Sequence, residues 1–402
     1  MSDYIHNHYV PIWYQNMFLP KEQKNKELYC LELDAPKYVT SNGIRHAYKA
    51  VHRKGFKQCF AENNLYTTRF GFKSSTDIEK LFFGKIDELG YEAVNFFNHF
   101  SYKDVREKNI NDLMFFMSTQ KLRTIKGLGW LTKKANTTDR DAVLKLMIEL
   151  RQRYCAIWME SVWLIADASE SKTKFIISDH PITIYNKRLS YNSPSCKNFS
   201  DPDIRYNGSH TIFPLSRDKI LILTNLSWLR NPYGNPIEYR PNPVFNRNAM
   251  MNFLDIQTLR KLSEQEVREI NFVIKKRAHR YIGAAEEDWL YPEKYLNKPM
   301  WSSFGDKYLF MPDPRSATFG GETIIGWKNG TSTISDEYGQ KPWESKYRKN
   351  SIETDTEFRT FHHFQGDFAR IYGPYRRGRC FEMGTLSAEK DNDKFHSYHL
   401  EL

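Results

Sequence analysis

Six polar residues sit in positions where a scaffold can put them to chemical use: His8, Glu79, Gln120, Arg123, Asp179 and His180. Asp179 and His180 follow the apolar stretch Phe175-Ile176-Ile177 and precede Pro181, where a strand must leave its sheet. Loops at strand ends present functional groups from rigid scaffolds, although an Asx-turn that simply ends the strand explains Asp179 equally well. Gln120 and Arg123 are three residues apart. On a helix they share a face, and there they can grip a carboxylate or phosphate together or form a buried network. His8 is a candidate base or metal ligand, and in an extended segment it shares a side with His6. An interior histidine bonded to backbone is the plainer reading. Glu79 stands three residues after Thr76, the spacing of a capping box at a helix start. No G-x-x-x-x-G-K-[ST], H-E-x-x-H, G-x-S-x-G or dinucleotide G-x-G-x-x-G signature accompanies this set.

Charge supplies a second set of candidates. The chain carries 59 Lys and Arg against 48 Asp and Glu, a formal net charge of +11, which favours anionic partners without naming one. Two acid-free runs concentrate it. Arg45 to Lys57 contains Arg45, Lys49, Arg53 and Lys54 beside Tyr48 and Phe56, and Lys121 to Lys134 contains Lys121, Lys126, Lys133 and Lys134 beside Trp130. Cations interleaved with rings can neutralise phosphates while bases stack, so nucleic acid or a nucleotide is an expected partner. A third run, Lys275-Lys276-Arg277, falls in the last turns of an expected helix, where the helix dipole favours cations whatever the ligand. Five scattered cysteines without a C-x-x-C pair argue for free thiols rather than a disulfide framework or a cysteine zinc site.

These residues need elements to hold them. A hydrophobic share of 40% over 402 residues excludes a disordered chain. The longest apolar runs, such as Ile220 to Leu223, fall far short of the roughly 20 residues of a membrane span, and the first residues lack a secretory pattern. No membrane partner and a cytoplasmic location are therefore expected. Apolar residues at helical spacing predict helices over 76–98, 109–125, 138–160 and 264–282, the last behind the capping box Ser263–Glu266. A further helix is expected over Asn248–Leu262, and Leu128-Gly129-Trp130 reads as an interruption. Strands are expected at Trp163–Ala166 and Lys174–Ser178 as one hairpin, and at Thr211–Phe213 and Lys219–Leu223 as another. Asn329-Gly330 marks a third hairpin. The expected fold class is α+β: a mainly helical body (1–294) packed on a small, largely antiparallel sheet, with a smaller strand-rich C-terminal region (295–402).

Several motifs recur in an order that resembles one family. They are His8-Tyr9-Val10-Pro11 with Tyr14 and Phe18; Phe60 to Tyr66; Phe116 to Thr124, ending in Gln120 and Arg123; Phe175 to Pro181; Phe213-Pro214-Leu215-Ser216; and Ile270-Asn271 with Ala278. Over about residues 6–285 this order resembles a bacterial domain-of-unknown-function family, DUF 4238. The chain has Arg123-Thr124-Ile125 where the family pattern has Arg-Thr-Pro. The resemblance implies no particular reaction.

Two functional readings follow from the residues. One is a hydrolase acting on nucleic-acid or nucleotide phosphodiesters. In it Asp179 and Glu79 hold a divalent metal such as Mg²⁺ or Mn²⁺ or activate water, His8 or His180 moves protons, and Arg123 stabilises phosphate charge. The general habits of such families add a role in bacterial defence or conflict to this reading. The other is a non-catalytic nucleic-acid- or nucleotide-binding sensor module, in which the same polar set is structural. They differ in whether His8, Glu79, Arg123 and Asp179 converge in one cleft.

Overall fold

Apolar residues at positions 93, 94 and 97, and again at 110, 113, 114 and 117, lie on single helical faces, and these faces meet in the computed structural model of the chain. The structure describes residues 6–35, 37–39, 42, 45–63, 65–66, 68–70, 73–75, 83–240, 255–317, 322–336, 340–345, 347 and 352–373. Thr76 and Glu79, and with them the expected capping box, lie outside these residues. The longer helices are α1 (Gly84–Asn98), α2 (Glu107–Arg123), α3 (Ile125–Ala135), α4 (Arg140–Met159), α5 (Glu264–Arg277) and α6 (Ile352–Tyr372). Helix α2 is the centre of the helical layer and packs on α1, α3 and α4.

Two sheets complete the body. In chain order their strands are β1 (Glu27–Glu32), β2 (Val51–Gly55), β3 (Ser161–Asp167), β4 (Ile177–Ser178), β5 (Thr183–Asn186), β6 (Ser209–Pro214), β7 (Lys219–Asn225), β8 (Gln257–Lys261) and β9 (Tyr281–Ala284). The larger sheet has the order β5-β6-β7-β3-β8 and is antiparallel except at its edge, where β8 runs parallel to β3. The smaller one, β4-β9-β1-β2, is antiparallel throughout. The fold is α+β, as expected. One continuous core runs from Tyr9 and Tyr14 through α2 and both sheets to Trp301 and Phe310.

Four expectations are corrected. Trp163–Ala166 and Lys174–Ser178 do not pair: β3 bonds to β7 and β8, while Ile177–Ser178 crosses to β9 in the other sheet. Fully buried strands read as plain apolar runs, and such runs do not state which neighbour they meet. Within the expected helix Asn248–Leu262, residues 257–261 form β8 instead; the side chain of Gln257 bonds both the backbone N–H and the C=O of Asp313, which fixes this edge. Leu128-Gly129-Trp130 interrupts nothing and lies inside α3. The break falls at Thr124, whose extended backbone ends α2 and whose side chain caps α3 by accepting from Gly127 N–H. Finally, the described part of 295–402 is mixed rather than strand-rich. It contains the expected hairpin, Glu322–Gly326 with Ser332–Asp336 turning at Gly330 (φ +83°), but also the 21-residue α6, which packs Phe364 and Phe368 on Trp228, Leu229 and Met311. Among the described residues no helix is long and apolar enough to cross a membrane.

Candidate anion-binding cavity

The end of α2 and the start of α3 carry two lysines into the interior. Lys121 lies eight residues after Leu113 and four after Met117, on the helix's core-facing side, and Lys126 follows the cap at Thr124. Both are buried. Arg277, in the last turn of α5, continues the stripe of Ile270, Val273 and Ile274 and is only 2% exposed. These three cations converge on one carboxylate, Asp201, in the loop between β5 and β6. Its Oδ1 accepts from Lys126 Nζ at 2.7 Å and from Arg277 Nη2, and its Oδ2 accepts from Lys121 Nζ. His180 Nε2 stands 3.0 Å from Oδ2.

These groups form one contact network. Lys121 Nζ donates to the Ile182 carbonyl (2.9 Å) and to Asp201, and it lies 2.8 Å from His180 Nε2. His180 Nε2 therefore faces both Lys121 and the Asp201 carboxylate, and Nδ1 lies 2.7 Å from Thr124 Oγ1. Burial, reinforced by the charge of Lys121, holds His180 far below its usual pKa, so the ring is neutral. Burial also lowers Lys121, against the pull of Asp201, to about 8. Burial would raise Asp201, but Lys121, Lys126 and Arg277 outweigh it and keep the carboxyl well below its usual range. Three buried cations on one carboxylate leave a local surplus of positive charge.

Lys121 and Asp201 of this cluster open onto a cavity of about 820 Å³. His180 lines it with them, together with the rings of Trp130, Tyr154 and Phe199 and, among others, charged side chains of both signs: Lys134, Arg153 and Arg205, and Glu149 and Asp203. Asn198 and Phe199 both adopt left-handed backbone (φ +52° and +70°), a turn that carries the chain over α3, where the Phe199 ring lies on Gly129. A cavity of this size suits a small organic ligand.

The other expected site residues lie elsewhere. Asp179 Oδ1 accepts from His279 N–H (2.8 Å) and Oδ2 from Arg280 (2.6 Å) and Tyr281 (2.9 Å) N–H, so the carboxylate closes the turn between α5 and β9. Burial raises its pKa and these three bonds oppose that rise. Gln120 donates to the Tyr9 carbonyl at 2.7 Å and accepts from Arg123 Nε at 2.8 Å; Arg123, 1% exposed, pairs with Asp87 Oδ1 at 2.6 Å. His8 lies in a short strand, His6–His8, paired with Ala61–Asn63; its ring meets that of His6 edge-on at 5.2 Å, and burial lowers its pKa. Glu79 lies outside the described residues. Of the five described, His180 is the one that lines the cavity, and Gln120 with Arg123 forms a pair apart from it. Among the described residues no group of three or more His, Cys, Asp or Glu side chains is arranged to hold a metal ion.

The basic runs also divide. Lys121 and Lys126 point inward, whereas Lys133 and Lys134 are exposed, with Lys134 Nζ 5.5 Å from the Trp130 ring centre. Lys49 is exposed; Arg53 lies over Tyr29 and 3.7 Å from Glu27; Lys54 lies over Tyr281. Arg45 lies in a strand whose side chains are outside those described. Sequence reasoning missed Asp201, which nothing in its polar loop distinguishes. Arg277 was readable as a cation on the apolar stripe of α5.

Fold and cavity thus define an α+β protein with a pocket lined by aromatic rings and by charged side chains of both signs. Residues 131–288, which carry α4, α5, the whole of the larger sheet, β4 and β9 of the smaller one and Asp201, match the family described as "Protein of unknown function (DUF4238)". The family expected from the motifs is therefore found over that span; the motifs before residue 131 precede it. No curated protein and no solved structure matches the chain.

Proposed function

We propose that this protein is a non-catalytic, nucleotide-binding module that acts in the cytoplasm, taking a mononucleotide into the cavity with its phosphate toward Lys121 and its base among Trp130, Tyr154 and Phe199. The observation that supports the reading is the buried Lys121 in the wall of a cavity that Trp130, Tyr154 and Phe199 also line. A phosphate entering there competes with Asp201 for the Lys121 ammonium, which the fold already holds in place, so little side-chain ordering cost falls on binding. A calorimetric titration with a panel of mononucleotides tests it. Saturable binding that weakens tenfold or more in Lys121→Met and in Trp130→Leu is the expected result. Absence of binding by every mononucleotide at millimolar concentration would sink the proposal.

The hydrolase reading retains one specific support, the neutral His180 in the cavity wall. Phosphate release measured in the same mixtures, with and without Mg²⁺ or Mn²⁺, separates the two: turnover lost in His180→Gln favours hydrolysis, and binding without turnover favours the sensor.

A further inference from the structure

Cys30 and Cys59 are 29 residues apart in the chain, yet their sulfurs lie 3.0 Å apart in the fold. Both side chains are buried, at 3% and 2% exposure. Cys30 is fixed in β1, inside the small sheet, opposite His52 on one side and Gly283 on the other. Cys59 ends a short helical turn, Phe56–Gln58, and the chain around it is held in several places. Its carbonyl accepts from Gln15 Nε2, the next carbonyl accepts from Tyr9 N–H at 3.1 Å, and Phe60 takes a left-handed backbone (φ +50°). The two thiols are therefore positioned by independent elements rather than by each other.

We propose that Cys30 and Cys59 are an oxidisable dithiol that a hydroperoxide converts to a disulfide. Closing the sulfurs from 3.0 Å to the roughly 2.05 Å of a disulfide asks for a movement of about 1 Å. Lys54 supplies the local chemistry: its charge favours the thiolate of both cysteines, and the hydrogen bond from Cys59 makes Cys30 the more acidic thiol and the nucleophile. The Cys30 thiolate attacks one peroxide oxygen, the O–O bond breaks, and a sulfenic acid and hydroxide result. Cys59 sulfur then attacks Cys30 sulfur; the S–S bond forms, the S–O bond breaks, and the departing hydroxide leaves as water with the Cys59 proton. Two thiols and one H₂O₂ give one disulfide and two waters, and a dithiol reductant reverses the change. Lys54 thereby has a role that involves no nucleic acid. The closed loop 30–59 pins the corner at Phe56–Phe60 to the small sheet.

Hydrogen peroxide added to the folded full-length chain, followed by alkylation of remaining thiols and peptide mapping, tests this. The Cys30–Cys59 link is expected to form before Cys155 or Cys196 is modified, although those two are less buried. Lys54→Met should slow its formation several-fold, and Cys59→Ser should leave a Cys30 sulfenic acid that dimedone traps. A rise in Tm on oxidation, reversed by dithiothreitol, should accompany the link in wild type. Should Cys155 and Cys196 oxidise while Cys30 and Cys59 are still recovered as separate thiols, the proposal fails. It fails equally if the link appears only in urea-unfolded chain, an outcome read from wild type alone whether or not the Cys59→Ser variant folds.

Discussion

Lys121 is a lysine whose proton is in play near neutral pH, because burial lowers it to about 8 in the folded chain. Between that value and the usual 10.5 the unfolded chain binds a proton that the native one has lost, so this group adds stability as pH rises through the window. Anion affinity moves the other way, since the ligand needs the charge. We therefore expect mononucleotide affinity to fall above pH 8 by up to about tenfold per pH unit, and Lys121→Met to be weak and flat over the same range, read by titration at pH 7, 8 and 9. Histidines set the acid limit. His180 and His210 are both buried neutral, and burial lowers His210 to about 3. On acidification below 6.5 the unfolded chain takes up protons that the native ring refuses, so stability is lost as pH falls from there. Each ring should cost about 2 kcal/mol at pH 5 relative to pH 7. Urea unfolding at the two pH values measures the loss, and His210→Phe, placed between the rings of Tyr185 and Phe310, should remove about half of it.

At the scale of elements, the junction of α2 and α3 places Lys121 and Lys126, and it depends on a glycine. A Cβ on Gly127 would stand 2.5 Å from the Lys121 carbonyl and 2.6 Å from that of Leu122, so the two helix ends meet only because no side chain intervenes. Gly127→Ala must push α3 away and carry Lys126 off Asp201. A loss of about 3 kcal/mol in urea unfolding is expected, within the range for breaking a buried ion pair. Mononucleotide binding should weaken with it; unchanged stability would show that the junction yields freely. Much of this architecture was legible in the sequence. Helix α4, the β6–β7 hairpin and the start of α5 behind its Ser263–Glu266 capping box follow from periodicity and local chemistry and formed as expected, whereas α5 stops at Arg277 and the end of its expected range, 281–282, belongs to β9. The rest depended on distance along the chain. Which strand neighbours β3, and which carboxylate receives Lys121, are long-range pairings that no local pattern encodes. Asp201 sits 80 residues from Lys121 and 76 from Arg277. Gln120 and Arg123 were visible as a pair, but their partners, the Tyr9 carbonyl and Asp87, were not.

For the whole molecule, the net charge of +11 invites a nucleic-acid partner, but the fold distributes that charge in two ways. Lys121, Lys126 and Arg277 are committed to Asp201 inside, while Lys49, Arg53, Lys133 and Lys134 face outward from separate elements. A strand of nucleic acid follows exposed cations, whereas a mononucleotide can enter a cavity. The two partners differ in salt dependence. A single-stranded oligonucleotide that neutralises Z phosphates loses affinity with a log–log slope near −0.7Z, so a 12-nucleotide strand on a surface stripe would show a slope of several units. One phosphate in the cavity should give a slope of about −1 or shallower. We expect a 12-nucleotide single strand, followed by fluorescence anisotropy at two salt concentrations, to bind no more tightly than the mononucleotide. The triple change Lys49→Glu, Arg53→Glu and Lys54→Glu should leave mononucleotide binding intact. A steep slope abolished by that triple change would move the partner from the cavity to the surface, and the positive charge would then be the binding feature rather than a solubility one.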